Sequence, residues 1–464
     1  MLKLRSGKVY YISLLAVLLM VVTACSNNKP VNETTEPFVL KIATYNEADF
    51  KNTFLPFLTR EFPAMEIELV QTEEVVNSAF QPGVDYGEYM IDYWDRFMNE
   101  ESPDLLILND EQSLSYLSQD SWLTSLETFL ERDEYDLNSY SEALLEQIRF
   151  EGGGVLYGLS PLFNGKAIFY NKAMFDTFGV PYPEDQMTWE ELLRVAGRFA
   201  AQTMNGEPVY GLAAGCMPYG NISDLAIRMG ETEGLLLADP ELRQMRIDSD
   251  SWLQALAPLD TALKQNVIYT EHDGSGSLYE PCMRILQKSA MAIGEFETAA
   301  AILQLPAEMQ QGGWGIATIP VSSMSRDQAP EAIRPTDIMV IPARSEQTEQ
   351  AWEVIKALNG DDFAAEHANT LNMLPKLSAR TEHKPLVFDT IFTAEDFDAF
   401  YTLKSMPKAG DPLELYYFEL DIVSLQAIVY KEFMAMIQNA GTLQETLNKI
   451  QEQGQVELQR GGGG

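Results

Sequence analysis

The sequence predicts an acidic, multi-domain α/β protein whose largely parallel sheets carry helices on both faces. Three observations lead there. The chain has 464 residues, enough for two or three domains at about 100–200 residues each. It is 46% hydrophobic, with 22 Phe, 20 Tyr and 6 Trp, material for a large core that a disordered chain lacks. Short, near-continuous apolar runs alternate with helical patterns along the chain, as parallel strands buried on both faces require. The net charge of −37 opposes contact with phosphate backbones and anionic lipid surfaces, so nucleic acid is not an expected partner. Three Cys and three His are too few for a Cys-rich zinc module, and His272, His367 and His383 fit no metal-ligand spacing. No cofactor is expected.

Taken in order, Lys3, Arg5 and Lys8 precede an apolar stretch over residues 9–22. That stretch is too short to span a bilayer and has the size of a secretory apolar region. It ends in Val22-Thr23-Ala24-Cys25, which resembles a bacterial lipobox. The resemblance implies that 1–24 is a lipoprotein signal peptide and that Cys25 is acylated, anchoring the chain to a membrane without a spanning helix. An ordinary signal peptide with an incidental Cys is the alternative. Residues 25–37 are polar with two prolines and read as a flexible tether; 459–464, ending in four glycines, reads as a disordered tail.

Residues 38–44 (FVLKIAT) predict a buried strand, about 49–62 a helix closed by Pro63, and 66–71 a second strand. Leu105 to Leu108 predicts another, ending at Asn109 and Asp110. Gly152 to Gly154 break the pattern; strands resume over 155–161 and 167–170. Thr188-Trp189-Glu190-Glu191 is a capping box, opening a helix whose Trp189, Leu192, Leu193, Ala196 and Phe199 recur at helical spacing. Strands are expected at 210–214, 291–293, 314–319 and 338–342, and a helix over 351–358 that stops at Asn359-Gly360. In open parallel sheets ligands bind beyond the strands' carboxyl ends, which places Tyr45, Asn46, Glu47, Asn109 and Asp110 on one rim. Cys216 and Cys282 can pair outside a cell, although two buried thiols are the plainer expectation.

Local motifs then add up. Leu156-Tyr157-Gly158-Leu159, Phe169-Tyr170-Asn171-Lys172, Phe178-Gly179-Val180-Pro181-Tyr182-Pro183, Ser289-Ala290-Met291-Ala292, Gly313-Trp314-Gly315, Ala351-Trp352-Glu353 and Asn372-Met373-Leu374-Pro375 follow in order. Together they closely resemble the family 1 extracellular solute-binding proteins, sugar-capturing lipoproteins of ABC importers, over about residues 38–458. The resemblance implies a two-lobed periplasmic-binding-protein-like fold with a hinge crossed several times. It implies a first lobe of 38–160 plus 293–359 and a second of 161–292 plus 360–458. It also implies a carbohydrate ligand, an oligosaccharide, in the interlobe cleft, permease subunits as partners, a monomeric state, and a place on the outer face of the cytoplasmic membrane.

A sugar needs aromatic faces for its C–H surfaces and carboxylates or amides for its hydroxyls. By position in the family, Tyr45, Asn46 and Glu47 follow the first strand, and Asn109 and Asp110 follow the strand where some relatives hold an aromatic platform. Leu108 stands close to that place here. Asn164 matches a hydroxyl-contacting position, with a turn residue as its plainer reading. Tyr219, after Pro218, is the expected stacking ring of the second lobe; Glu295 and Phe296 offer an acceptor beside a ring face; Tyr417, next to Tyr416, offers another wall. Arg334 and Asp337 are expected to pair at the surface. Trp314 and Trp352 read as core, and Asp273-Gly274-Ser275-Gly276-Ser277 as a flexible loop without a calcium loop's later ligands. No catalytic residue is assigned, since the chain lacks G-x-S-x-G, H-E-x-x-H and a P-loop. Two other readings stay open: a ligand-binding module feeding a sensor, and a surface enzyme acting on glycosides, for which paired carboxylates are plentiful.

Overall fold

The computed structural model describes residues 37–72, 86–119, 121–216, 221–239, 242–270, 280–370, 375–406, 412–439 and 441–461. Thirteen strands, numbered in chain order, position the site. They are β1 (Phe38–Thr44), β2 (Met65–Gln71), β3 (Leu105–Leu108), β4 (Gly158–Leu159), β5 (Leu162–Asn164), β6 (Lys166–Asn171) and β7 (Tyr210–Ala213). The rest are β8 (Ile268–Tyr269), β9 (Ser289–Glu295), β10 (Trp314–Thr318), β11 (Arg334–Thr336), β12 (Ile338–Val340) and β13 (Leu377–Ser378).

Two five-stranded sheets result, in the orders β2-β1-β3-β12-β4 and β8-β7-β9-β6-β10. In the first, β1 runs parallel to β2 and β3, while β12 runs antiparallel to β3 and β4. In the second, β8, β7 and β9 are mutually parallel, and β6 is antiparallel to β9 and β10. Each sheet therefore has four strands in one direction and one reversed. The reversed strand is in each case the first to enter from the short three-stranded sheet β11-β5-β13, which joins the two. A strand entering from that joint must run away from it, whereas strands returning through helices run towards it. Hence Thr44, Leu108 and Leu159 in one sheet, and Ala213, Glu295 and Thr318 in the other, all end on the side of the joint.

Burial explains the apolar runs. In the second sheet Phe169, Ala213, Tyr269, Ala292 and Ile316 face one core, and Ile168, Tyr170, Leu212, Ile268, Met291, Ile293 and Ala317 face the other. This period of two, with both faces covered, is why these strands read as continuous hydrophobic segments. The capping box forms: Thr188 Oγ1 accepts from Glu191 N at 3.2 Å and Glu191 Oε2 accepts from Thr188 N at 2.7 Å. Trp314 and Trp352 are fully buried, as expected. The helix expected over 49–62 is instead two helices, Glu47–Thr53 and Leu55–Glu61. They part at Phe54 because Pro56, in the first turn of the second, lacks an N–H.

Three further expectations change. Strand β10, grouped by sequence with the first lobe (293–359), pairs with β6 in the second sheet, Trp314 opposite Asn171 and Thr318 opposite Ala167. The chain rejoins the first sheet only at Ile338. Helix Asp361–His367, grouped with the second lobe (360–458), packs Phe363 against Phe54 and Phe57 of the first, at 5.7 and 5.3 Å between ring centroids. Cys216 and Cys282 form a disulfide, with Cα atoms 4.4 Å apart. The helix Pro412–Asn439 sends Leu425, Val429, Phe433 and Met436 into the core beside the second sheet. It also meets helices Tyr86–Glu100 and Glu111–Gln119 flanking the first. Among the described residues no helix is long and apolar enough to cross a membrane.

Candidate functional site

Strand carboxyl ends from two sheets gather at one joint, and the joint is made of three chain segments. Strand β5 pairs antiparallel with both neighbours, Asn164 opposite Arg334 and Phe163 opposite Pro335 and Leu377. Close approach is built in at Gly165, where a Cβ would lie 2.2 Å from the Ala332 carbonyl oxygen.

Asn164 is the hub, only 2% exposed. Its Oδ1 accepts from the backbone N–H groups of Gly165 (2.9 Å) and Phe296 (3.1 Å), which fixes the amide's orientation. Its Nδ2 then donates to Glu295 Oε2 at 2.9 Å and to both carboxylate oxygens of Glu297 at 2.8 and 2.9 Å. Arg334 Nη2 donates to the same Glu295 Oε2 at 2.9 Å. Burial, and next the neighbouring Glu295 charge, push the Glu297 carboxyl above its ordinary range.

Two more charged knots hold the joint. Lys376 Nζ, just ahead of β13, donates to Asp337 Oδ2 (2.9 Å) and Asp49 Oδ2 (3.1 Å). Burial would lower this ammonium, but the two carboxylates, Asp337 first, hold it above its usual value. On the other side Lys166 Nζ donates to Glu331 Oε2 at 2.7 Å. Arg228, 2% exposed, donates to Glu331 and, at 3.0 and 3.1 Å, to Asp224. Burial alone would raise the Glu331 carboxyl; Arg228 and then Lys166 override it and hold it well below the carboxylate range. Glu331 and Asp337, which bracket the second crossing, both sit at φ 55, a left-handed conformation uncommon outside glycine.

The structure distributes the sequence candidates unevenly. Asn164 and Glu295 meet directly. Asn46 caps helix Glu47–Thr53 by accepting from Ala48 N and Asp49 N. Asp110 accepts from Ser113 N (2.7 Å) and Ser113 Oγ (2.9 Å). Both polar strand-end residues therefore have structural work. Glu47 pairs with Lys51 one turn on, Asn109 is exposed and Tyr45 half-buried on the same rim. Phe296 does not offer its ring to the joint. It is 1% exposed and packs edge-on against Phe388, Phe397 and Phe400, because the residue after Glu295 points to the sheet's opposite face. Tyr219, His272 and the 273–277 loop lie outside the described residues, as do Cys25 and the side chains of Tyr416 and Tyr417. Arg334 and Asp337, expected to pair at the surface, are instead engaged at the joint, Arg334 with Glu295 and Asp337 with Lys376. Sequence reasoning missed Lys376, Glu297 and Glu331. Among the described residues no group of three or more His, Cys, Asp or Glu could hold a metal ion. A concavity of about 720 Å³ between helices Trp189–Ala196 and Asp250–Lys264 contains none of the strand-end residues.

No protein-family model matches the chain. Solved structures do match it. A sugar transporter of Rhizobium etli, in an open conformation, gives a TM-score of 0.63 at 16% identity, covering 90% of this chain and 99% of that one. The sugar-binding protein MalE of Xanthomonas citri gives 0.63 at 14%, over 91% and 98%. A family 1 extracellular solute-binding protein of Alicyclobacillus acidocaldarius gives 0.65 at 13%, over 91% and 99%. These neighbours are of the kind the sequence motifs resemble, and what this chain shares with them at such identities is the two-lobed fold.

Proposed function

We propose that the chain is the substrate-binding component of an ABC importer, capturing a carbohydrate, an oligosaccharide, between two lobes and delivering it to a membrane permease. The observation that carries this reading is the gathering of strand carboxyl ends from both sheets at a three-segment joint. Loops from two rigid bodies then converge on one space, and a ligand touching both favours the closed arrangement in proportion to its extra contacts. The sugar-binding proteins that share the fold support a carbohydrate ligand, and their being binding proteins supports a role without catalysis. In this reading the first lobe comprises about 38–160 and 338–381, and the second about 165–333 with the C-terminal helices. Tyr219 and Tyr417 supply ring faces; Tyr45, Asn46, Glu47, Asn109, Asp110 and Glu295 supply polar contacts.

The test is a thermal-shift screen over neutral mono- and oligosaccharides, since a ligand at 100 times its Kd stabilises by about 2.7 kcal/mol. Recovering the bound sugar unchanged separates a binder from a glycosidase. A screen without a hit, or a shortened sugar after incubation, would overturn the proposal. The anchoring part rests on Val22 to Cys25: Cys25→Ala should abolish incorporation of labelled fatty acid, and undiminished labelling would contradict it.

A further inference from the structure

Glu295 is held by one oxygen and presents the other. Both of its anchors, Asn164 Nδ2 and Arg334 Nη2, bond Oε2 at 2.9 Å. The carboxylate is thereby fixed in position with Oε1 left for another donor. The residue ends β9 at the joint, and a quarter of its side chain stays solvated. Arg334 is opposite Asn164 in the β5–β11 pair, so the two side chains leave the same face of the joint. Its guanidinium has five N–H donors; Nη2 is engaged with Glu295 while 43% of the side chain remains in contact with solvent. A positioned carboxylate oxygen therefore stands beside a positioned set of N–H donors, at the floor of the space where the sheets' carboxyl ends gather.

Resting on the carbohydrate reading above, we propose that Arg334 and Glu295 act together as the specificity pair of the site, holding two neighbouring hydroxyls of a neutral sugar and disfavouring acidic sugars. One hydroxyl donates to Glu295 Oε1 and the adjacent one accepts from the free edge of Arg334. The surrounding charge matches an uncharged ligand. Asp224, Glu295, Glu297 and Glu331 face Arg334, Lys166 and Arg228, four carboxylates against three cations, so the floor has no net cation left to receive a uronate. A uronate's carboxylate would meet Glu295 Oε1 as a like charge, and the Arg334 charge beside it is already compensated by Glu295. Asn164 is the positioning residue: it touches Glu295 and, through the fixed amide, orients it.

The experiment is calorimetric titration of the full mature protein with maltotriose, cellotriose and raffinose, and with trigalacturonate as the acidic counterpart. Variants are Glu295→Gln, which turns the free acceptor into a donor at nearly constant volume, and Arg334→Met, which keeps the apolar stem. The double variant Glu295→Gln/Arg334→Met removes both charges of the pair together and serves as the folding control. The parent should bind a neutral probe and bind trigalacturonate at least tenfold more weakly. Each single variant should lose about tenfold or more in affinity for that neutral probe, the size of a hydrogen bond to a charged group, while all variants keep the parent's circular dichroism. Parent-like affinity in folded Arg334→Met or Glu295→Gln overturns the pair and leaves sugar binding standing. So does a parent that prefers trigalacturonate. A parent that binds none of the four sugars overturns the carbohydrate reading and this inference with it.

Discussion

Replacing Cys216 and Cys282 together by alanine should lower the melting temperature sharply. The two residues are 66 positions apart in sequence, and both are buried, at 1% and 0% exposure. A cross-link closing a loop of that length restricts the unfolded chain by about 4 kcal/mol at 25 °C in the chain-entropy treatment. Spread over a cooperative unit of roughly 150–250 residues, at about 2–4 °C per kcal/mol, this is a fall of about 8–16 °C. The bond joins the chain just beyond β7 to the helix Glu280–Lys288 that leads into β9, so the loss should fall on the half of the molecule built on the second sheet. Scanning calorimetry of parent and double variant, without reductant and at one scan rate, gives the shift directly. Alkylation of the unfolded, unreduced parent followed by mass measurement counts its free thiols. A shift below about 2 °C, or two thiols alkylated in the parent, would refute the argument.

Two carboxylates at the joint should respond to pH in opposite senses. Glu331 has a folded pKa below its unfolded value, so its contribution is present above about pH 4.3 and drains away as the pH falls through the folded value. Glu331→Gln should cost about 2 kcal/mol at pH 7 in urea titrations. That is less than a fully broken buried pair, because Asp224 still faces Arg228 and 43% of the Glu331 side chain is solvated. Glu297 is raised, so its ionised form burdens the native state at neutral pH. Glu297→Gln should therefore be neutral or stabilising at pH 7, with the advantage shrinking as the pH falls towards about 4; a loss as large as that of Glu331→Gln would contradict the assignment. Gly165→Ala forces a Cβ to within 2.2 Å of the Ala332 carbonyl oxygen and should destabilise by about 1–3 kcal/mol in the same titrations, an unchanged midpoint arguing against the close crossing. Tyr219→Ala should melt normally yet bind sugar about 30-fold more weakly, a loss of about 2 kcal/mol, and an unaltered calorimetric Kd would remove that ring from the site.

What the sequence made legible follows from range. Strands β1 and β3 could be read to within a residue because β3 is apolar and buried throughout and β1 is apolar apart from Lys41 and Thr44. The helix start at Thr188 was legible because a capping box lies within four residues. Pairing partners were not legible locally. Strand β10 lies beside β6, more than a hundred residues earlier, and nothing in its own five residues says which sheet receives it. The site shows the same division. Asn164 and Glu295 could be proposed from their positions in the family resemblance, but Lys376 owes its role to Asp49, 327 positions away, and to Asp337, 39 positions away. Asn46 and Asp110 also carry a capping signal, since an Asn or Asp between a strand and a helix can accept from the helix's first free N–H groups. Phe296 shows the converse: the aromatic next to Glu295 packs into the core against Phe388, Phe397 and Phe400.

Closure on a sugar is the central claim, and small-angle X-ray scattering with and without the neutral oligosaccharide found by thermal shift tests it most directly. If the carboxyl ends of the two sheets form the jaws of a ligand-closed cleft, saturating sugar should reduce the radius of gyration, and the scattering curve should return to the free form when the sugar is dialysed away intact. An unchanged radius of gyration with a sugar that calorimetry shows to be bound would contradict a hinged capture mechanism for this chain.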